Sequence, residues 1–175
     1  MTKTLYLFRH AKATEAGRGG ASDRDRPLTA DGMRDAERMG ARMAKLAIAP
    51  DVILCSPSRR TIQTLEHAGR AFPHGLSAEI EEPLYMAGAG ELLARVQDLG
   101  DRCASVMVVG HDPTCHELAL ALARRGDPKV LGKLADGFPK GALAGIAFPA
   151  NHWAEIGAGA LVVWETPKRL RAADD

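Results

Sequence analysis

Short, continuous apolar runs recur along the chain between amphipathic stretches. Three of them lack polar alternation: LYLF at 5–8, VILC at 52–55 and SVMVVG at 105–110. Runs of this kind are typical of strands covered on both faces, as in the centre of an α/β sheet. A weaker strand near 77–80 and a late strand pair at 143–148 and 159–165 complete the predicted sheet.

The intervening stretches show helical spacing. Apolar residues recur every three to four positions between 33 and 47, with Thr29 as the predicted N-cap. A second helix is predicted from Pro57 with Ser56 as its N-cap, and others at 91–99 and after Pro113. Strands that alternate with helices predict an α/β fold, a three-layer α/β/α sandwich with a mostly parallel central sheet.

Length and composition place few further demands on the fold. The 175 residues predict a single domain over 1–175, with a short charged tail that frays from about 167. A net charge of +1, from 23 basic and 22 acidic residues, disfavours a nucleic-acid binder. Three widely spaced cysteines form no disulfide framework, and no stretch resembles a signal peptide or a bilayer span. We therefore expect a cytoplasmic protein without membrane or nucleic-acid partners.

Charged side chains gather where the predicted strands end. The first strand runs into Arg9 and His10, the second is followed by Arg59 and Arg60, and the run at 105–110 leads into His111. Ligands of open α/β sheets bind at the carboxyl ends of the strands, so these residues are expected at one rim. Arginine suits phosphate oxygens, and histidine can act as a nucleophile. The set predicts phosphoryl transfer in which one histidine attacks phosphorus, the arginines stabilise the oxygens and the second histidine stabilises the phosphoryl group or shuttles a proton.

Four segments stand out in order along the chain: RHA at 9–11, DRPLTADG at 25–32, SPSRRTIQT at 56–64 and GH at 110–111. Together they resemble the motifs of the histidine phosphatase (phosphoglycerate mutase-like) superfamily, and most closely those of its small SixA-like branch. The resemblance implies a phosphoglycerate mutase-like fold in which His10 is the phosphorylated nucleophile and Arg9, Arg60 and His111 form the phosphate pocket. It implies no cofactor. Because the SixA-like branch acts on phosphohistidine in proteins, it also implies a phosphorylated protein as partner and inorganic phosphate as product.

Ala11 departs from the superfamily pattern, and the role of Glu82 in that pattern has two interpretations. Ala11 replaces the motif glycine, which would cost about 1 kcal/mol if the backbone there had a positive φ. Glu82 stands three residues before Tyr85, where the mutases carry their general acid; the alternative is a solvated loop carboxylate. An imidazole leaving group needs less proton donation than an alkoxide, so a phosphohistidine phosphatase can dispense with that acid.

Other residues near the motifs keep two interpretations. Arg59 is either a second phosphate contact or a surface residue of the rim. Lys12 and Arg18 either line the pocket mouth or are solvated loop charges. His116 and Cys115 lie close to His111, but their spacing is not that of a zinc motif, and we expect no metal.

The function itself has two alternatives to a protein phosphohistidine phosphatase. The same fold could hydrolyse a small phosphomonoester such as a sugar or nucleotide phosphate. It could also bind phosphate or a phosphoprotein without turnover.

Overall fold

A computed structural model of the chain describes residues 2–17, 22–101 and 103–174. The strands are β1 (Lys3–Arg9), β2 (Val52–Cys55), β3 (Glu79–Ile80), β4 (Ser105–Gly110), β5 (Ala123–Arg125), β6 (Leu143–Phe148) and β7 (Gly159–Glu165). The helices are α1 (Ala30–Lys45), α2 (Arg59–Gly69), α3 (Ala89–Gln97), α4 (Thr114–Leu122), α5 (Pro128–Asp136) and α6 (Pro167–Asp174). Within the described residues, 3-10 turns lie at Asp23–Asp25, Glu82–Tyr85 and Trp153–Glu155.

All seven strands belong to one sheet in the order β3-β2-β4-β1-β6-β7-β5. β1 pairs in parallel with β4, β4 with β2, and β2 with β3, whereas β6 runs antiparallel to both β1 and β7. The predicted mostly parallel sheet and the predicted late strand pair are therefore confirmed, and the structure adds that this pair is antiparallel. The register places Arg9 opposite Gly110, and Cys55 opposite Val109, so the ends of β1, β4 and β2 meet at one edge.

The sheet is covered on both faces, which explains the continuous apolar runs. Leu7 and Val108 face a core built with α3, α4 and α5, while Phe8 and Met107 face a second core built with α1 and α2. All four side chains are essentially excluded from solvent. The three-layer α/β/α arrangement follows from these two cores. Across the described residues, no helix is both long and apolar enough to cross a bilayer.

The first two helices begin close to the predicted residues, with one difference. Thr29 caps α1 as expected, because its hydroxyl accepts a hydrogen bond from the Gly32 amide at 3.1 Å. The cap of α2 is Ser58 rather than Ser56, and the helix begins at Arg59 rather than at Pro57. Ser56 remains in the loop between β2 and α2, where its side chain serves the site described below.

The C-terminal third contains two elements that the pattern did not predict and one that contradicts it. The stretch after Pro113 ends as a helix at Leu122, and β5 and α5 follow; Asp127 caps α5 by accepting from the amides of residues 129 and 130. The tail expected to fray from about 167 forms α6 instead. Arg171 donates to both carboxylate oxygens of Asp35, at 2.6 and 2.7 Å, so a contact with α1 holds the segment.

Candidate active site

The carboxyl ends of β1 and β4 place two histidines next to each other. The ring centroids of His10 and His111 are 5.5 Å apart, with the planes tilted by 58°. Arg60 comes from the first turn of α2 and reaches His111, since its Nη2 donates to His111 Nδ1 at 3.4 Å. The rim predicted from the strand ends therefore exists, and it contains both histidines and the motif arginine.

His10 is buried and carries a defined tautomer. Its Nδ1–H donates to the carbonyl oxygen of Ala11 at 2.7 Å, which leaves the lone pair on Nε2. Burial lowers the pKa of His10 to about 3, and the charges of Arg60 and Arg9 act in the same direction. At neutral pH the ring is therefore uncharged, the form that can attack an electrophile.

His111 is also held in one orientation. Its Nε2–H donates to the Ser56 hydroxyl at 2.7 Å, and its Nδ1 faces Arg60. The Tyr85 ring packs edge-on against it, with the centroids 5.7 Å apart. Burial and the nearby guanidinium of Arg60 lower the pKa of His111 to about 4, so this ring too is neutral at pH 7.

Asp23 accepts hydrogen bonds from both terminal nitrogens of Arg60. The Arg60 Nη1 donates to the Asp23 carbonyl at 2.7 Å, and Nη2 donates to the Asp23 carboxylate at 3.2 Å. The Tyr85 hydroxyl donates to the same carboxylate oxygen at 2.5 Å, and this bond, with the charges of Arg26 and Arg60, lowers the pKa of Asp23 to about 2. An ionised carboxylate therefore already lies at the predicted phosphate arginine.

Arg9 is anchored on its far side. Its Nη1 donates to the Phe138 carbonyl at 2.5 Å and lies 3.2 Å from the Asp112 carboxylate. The Nε–H groups of Arg9 and Arg60 are both buried, and neither has a hydrogen-bond partner among the described residues. A buried donor without an acceptor costs about 1–3 kcal/mol, so the site favours a ligand rich in acceptor oxygens.

Two residues of the segment 56–64 position the nucleophile loop. The Thr64 hydroxyl accepts from the Ala11 amide at 3.0 Å and donates to the Arg60 carbonyl at 2.6 Å. The Gln63 side chain accepts from the Leu28 amide at 2.8 Å. Sequence reasoning did not assign these roles, nor those of Ser56 and Asp23. For Ser56, Gln63 and Thr64 the signal was their place in the motif.

Ala11 fits its position without strain. Within the described part of the chain, Ala47 is the single non-glycine residue with positive φ, so Ala11 does not need the conformation that favours glycine. Ala11 is fully buried beside Ala13 and Leu28. The anticipated penalty of about 1 kcal/mol therefore does not arise.

Gly32, in the segment 25–32, lies very close to the backbone of Lys12. A β-carbon there would lie 2.1 Å from the carbonyl oxygen of Lys12. The same carbonyl accepts from the Thr29 amide at 2.9 Å. The start of α1 is thus packed directly against the chain that follows His10.

The exposure and the ion pair of Glu82 do not suit a general acid. Its side chain is 68% exposed and pairs with Arg24, whose Nη2 donates to Glu82 Oε2 at 2.7 Å. The hydrogen bond from Arg24 lowers the pKa of Glu82. A general acid must carry a proton at the working pH, and this pairing favours the ionised form.

The remaining candidates lie outside the cluster. The side chains of Arg59 and Lys12 are exposed and form no hydrogen bond or ion pair with the described residues, and Arg18 lies outside the described residues. The His116 Nε2–H donates to the Leu134 carbonyl at 2.8 Å, while Cys115 is fully buried and burial raises its pKa to about 12. In the described ranges, no three histidine, cysteine or acidic residues form a metal-binding group.

Comparison with known proteins identifies the family. Residues 5–95 match the model of the histidine phosphatase superfamily (branch 1). Uncharacterized protein Rv1276c of Mycobacterium tuberculosis (strain ATCC 25618 / H37Rv) is 36% identical over 165 residues, which cover 92% of this chain and 100% of that relative. The chain therefore belongs to the histidine phosphatase superfamily, branch 1.

Further similarities narrow the class to the SixA-like phosphatases. Phosphohistidine phosphatase SixA of Escherichia coli (strain K12) is 32% identical over 111 residues, or 62% of this chain and 67% of that protein. A solved structure assigned to phosphohistidine phosphatase SixA from Nakamurella multipartitia superposes with a TM-score of 0.80 at 32% identity, covering 95% and 97% of the two chains. A tungstate complex of the protein histidine phosphatase SixA gives a TM-score of 0.76 at 26% identity, covering 95% and 99%. This chain is accordingly a phosphatase with the phosphoglycerate mutase-like α/β fold.

Proposed function

We propose that this protein is a protein phosphohistidine phosphatase that forms its phosphoenzyme on Nε2 of His10. One observation carries the proposal: a neutral, buried imidazole with its lone pair on Nε2 lies among arginines whose Nε–H groups are buried and unpartnered. A phosphoryl group supplies both an electrophile for the imidazole and acceptor oxygens for the guanidinium groups. The similarity to proteins named phosphohistidine phosphatase supports the same substrate class.

The reaction has two displacements at phosphorus. In the first, Nε2 of His10 forms a bond to phosphorus while the bond from phosphorus to the substrate imidazole breaks, and the released nitrogen takes a proton from solvent. In the second, water attacks phosphorus, the bond to Nε2 breaks, and orthophosphate leaves as the water proton passes to solvent. In this proposal Arg9 and Arg60 stabilise the phosphoryl oxygens in both steps, and neutral His111 stays hydrogen-bonded to Arg60 through Nδ1 and helps to orient it.

The protonation states favour phosphohistidine over a phosphomonoester. Imidazole leaves readily because its nitrogen titrates near pH 6.5, whereas an alkoxide needs a proton during bond cleavage. Asp23, which binds Arg60, and Glu82, the candidate acid, both have pKa values lowered by their hydrogen-bond partners. Neither carries a proton to donate at neutral pH.

We further propose that residues 1–175 act as one histidine phosphatase domain. β1, which carries the nucleophile, pairs with both β4 and β6, so early and late parts of the chain share one sheet. Separating them would remove a partner from the strand that holds His10.

The test is phosphate release from free phosphohistidine and from a protein phosphorylated on histidine. We expect wild-type protein to release orthophosphate from both and to form an acid-labile phosphoenzyme, and His10→Asn to do neither. His74→Asn is the matched control, because His74 is exposed and makes no described contact. Equal release by His10→Asn would refute the proposal, and tight phosphate binding without release would indicate the non-catalytic binding module.

The phosphomonoesterase alternative is tested with sugar and nucleotide phosphates. If Glu82→Gln strongly lowered turnover of these esters, and phosphohistidine were not hydrolysed, the substrate would be a small ester.

A further inference from the structure

A cavity of about 820 Å³ opens next to the active site, on the side of Arg9. We refer to it as the side cavity; it lies between α5, α6 and the end of β7. Its lining includes Arg9 and Asp112 but neither His10 nor His111. The mechanism proposed above makes no use of this space.

Arg9 joins the side cavity to the catalytic cluster. Its guanidinium touches the cavity wall through the Phe138 carbonyl and the Asp112 carboxylate. Its backbone is that of the residue before the nucleophile. A substrate whose phosphoryl group is bound at His10 and Arg9 therefore has the side cavity within reach of the atoms next to that group.

The floor of the side cavity is apolar and aromatic. Phe138 and Trp164 pack edge to face with their centroids 5.2 Å apart, and both are already largely buried. The apolar surface that remains open to a ligand comes from the half-buried Val130 and the exposed Pro139. An apolar side chain that covers this surface is stabilised by about 25 cal/mol for each Å² removed from water.

The rim of the side cavity carries unpaired positive charge. Lys133 of α5 and Lys168 of α6 are both exposed, and neither forms an ion pair with a described residue. Arg169 also lines the cavity and is partly neutralised by Glu165 at 3.5 Å. Asp112 is already paired with Arg9, which leaves Asp136 as the opposing carboxylate of the lining.

We propose that the side cavity binds a segment of the phosphorylated protein substrate that flanks the phosphohistidine and combines an acidic with an apolar side chain. The acidic side chain pairs with Lys133 and Lys168, and the apolar one covers Val130 and Pro139. This inference rests on the proposed function and adds to it a substrate preference. Long-range attraction by the lysines also speeds encounter with an acidic partner.

A protein segment fits the side cavity better than a metabolite does. The charged lining is spread over the outer surfaces of two helices, where Lys133, Lys168 and Arg169 are all exposed. Such a shallow charged rim suits a partner that is itself anchored elsewhere, because exposed ion pairs contribute little each. The ionised state of Asp23 and Glu82 disfavours the ester leaving groups that most phosphorylated metabolites carry.

The experiment compares three substrates, each phosphorylated chemically on histidine: a peptide with Glu and Leu beside the phosphohistidine, the same peptide with Gln in place of Glu, and free phosphohistidine. The variant is the double substitution Lys133→Glu with Lys168→Glu. We expect kcat/KM for the acidic peptide to fall about 5- to 10-fold, mainly through KM, and that for free phosphohistidine to stay unchanged. Added salt should lower the wild-type value for the acidic peptide and leave the double variant almost unaffected.

Lys129→Glu is the matched control, since Lys129 lies on α5, is exposed and does not line the side cavity.

Turnover of free phosphohistidine separates the two proposals. If wild-type protein hydrolyses it but Glu and Gln peptides are turned over equally by all variants, the docking inference is wrong and the phosphatase assignment stands. If wild-type protein does not hydrolyse it, the proposed function fails first. If the double substitution lowered kcat/KM equally for the Glu and Gln peptides, the lysines would not bind the acidic side chain and the inference would be overturned.

Discussion

Asp23 binds Arg60 at two points, with its backbone carbonyl 2.7 Å from Nη1 and its carboxylate 3.2 Å from Nη2. The carboxylate stands where an anion would meet this guanidinium, and its pKa of about 2 keeps it charged. An incoming phosphoryl oxygen must therefore compete with a side chain of the protein itself for one of the Arg60 N–H groups.

Replacing this carboxylate should tighten the binding of phosphate. Asp23→Asn keeps the backbone carbonyl contact but removes a negative charge close to Arg60, so we expect the inhibition constant of orthophosphate to fall about 3- to 10-fold. The inhibition constant is measured from the inhibition of phosphohistidine turnover by added orthophosphate. Asp25→Asn is the control, because Asp25 lies in the same 3-10 turn and bonds to Ser22. Weaker phosphate binding in Asp23→Asn would instead show that the carboxylate positions Arg60.

The Thr64 hydroxyl should matter for both stability and catalysis. Thr64→Val leaves the buried amide of Ala11 without its acceptor, so we expect the free energy of unfolding to fall by about 1–3 kcal/mol and kcat to drop. Urea denaturation and phosphohistidine turnover measure the two effects. Thr64→Ser retains the hydroxyl and should remain close to wild type in turnover. A stable, fully active Thr64→Val protein would contradict this role.

Glu82 should be almost dispensable. Because its carboxylate is exposed and ionised beside Arg24, Glu82→Gln is expected to change kcat for phosphohistidine by less than about 3-fold. The measurement is steady-state turnover at neutral pH. A drop of about 100-fold or more would assign proton donation to Glu82 after all.

The two buried histidines should remain neutral at pH values well below the usual pKa of histidine. Their pKa values, about 3 for His10 and about 4 for His111, lie below the unfolded value near 6.5, so the unfolded chain binds more protons in between. The contribution of these two histidines to the free energy of unfolding should therefore be fully present above about pH 6.5 and should be lost as the pH falls from there towards 3.

Titration of the ring protons by NMR tests the same states directly. His10 and His111 should show no titration between about pH 5 and 8. His152, whose pKa the Asp101 carboxylate raises, should titrate above the ordinary histidine value and serves as an internal reference. A midpoint near pH 6.5 for His10 would remove the basis for a neutral nucleophile.

The sequence could predict the rim because its determinants are local. The apolar run at 5–8 indicates a central strand, and in a parallel sheet that alone sends Arg9 and His10 to the ligand-binding edge. Asp23 could not be predicted in the same way. It lies in a charged loop, and its pairing with Arg60 spans 37 positions of sequence, which no periodicity reports.

The C-terminal region shows a second reason for failure. A charged segment such as 167–174 has no intrinsic signal for order, and α6 is held by a tertiary ion pair between Arg171 and Asp35. The break between α4 and β5 falls inside a stretch that reads as one continuous helix, because Ala and Leu suit both states of the chain. Tertiary contacts decided the outcome at both places.

The central position of β1 sets the order of events during synthesis. The nucleophile strand is made before its neighbours in the sheet, β4 and β6, which lie about 100 and 140 residues later. A nascent chain that has not yet reached residue 148 cannot hold His10 between both partners, and closing such long loops is entropically slow. Catalytic activity should therefore appear late during synthesis, and fragments that carry all four motif segments from Arg9 to His111 but end before β6 should be inactive.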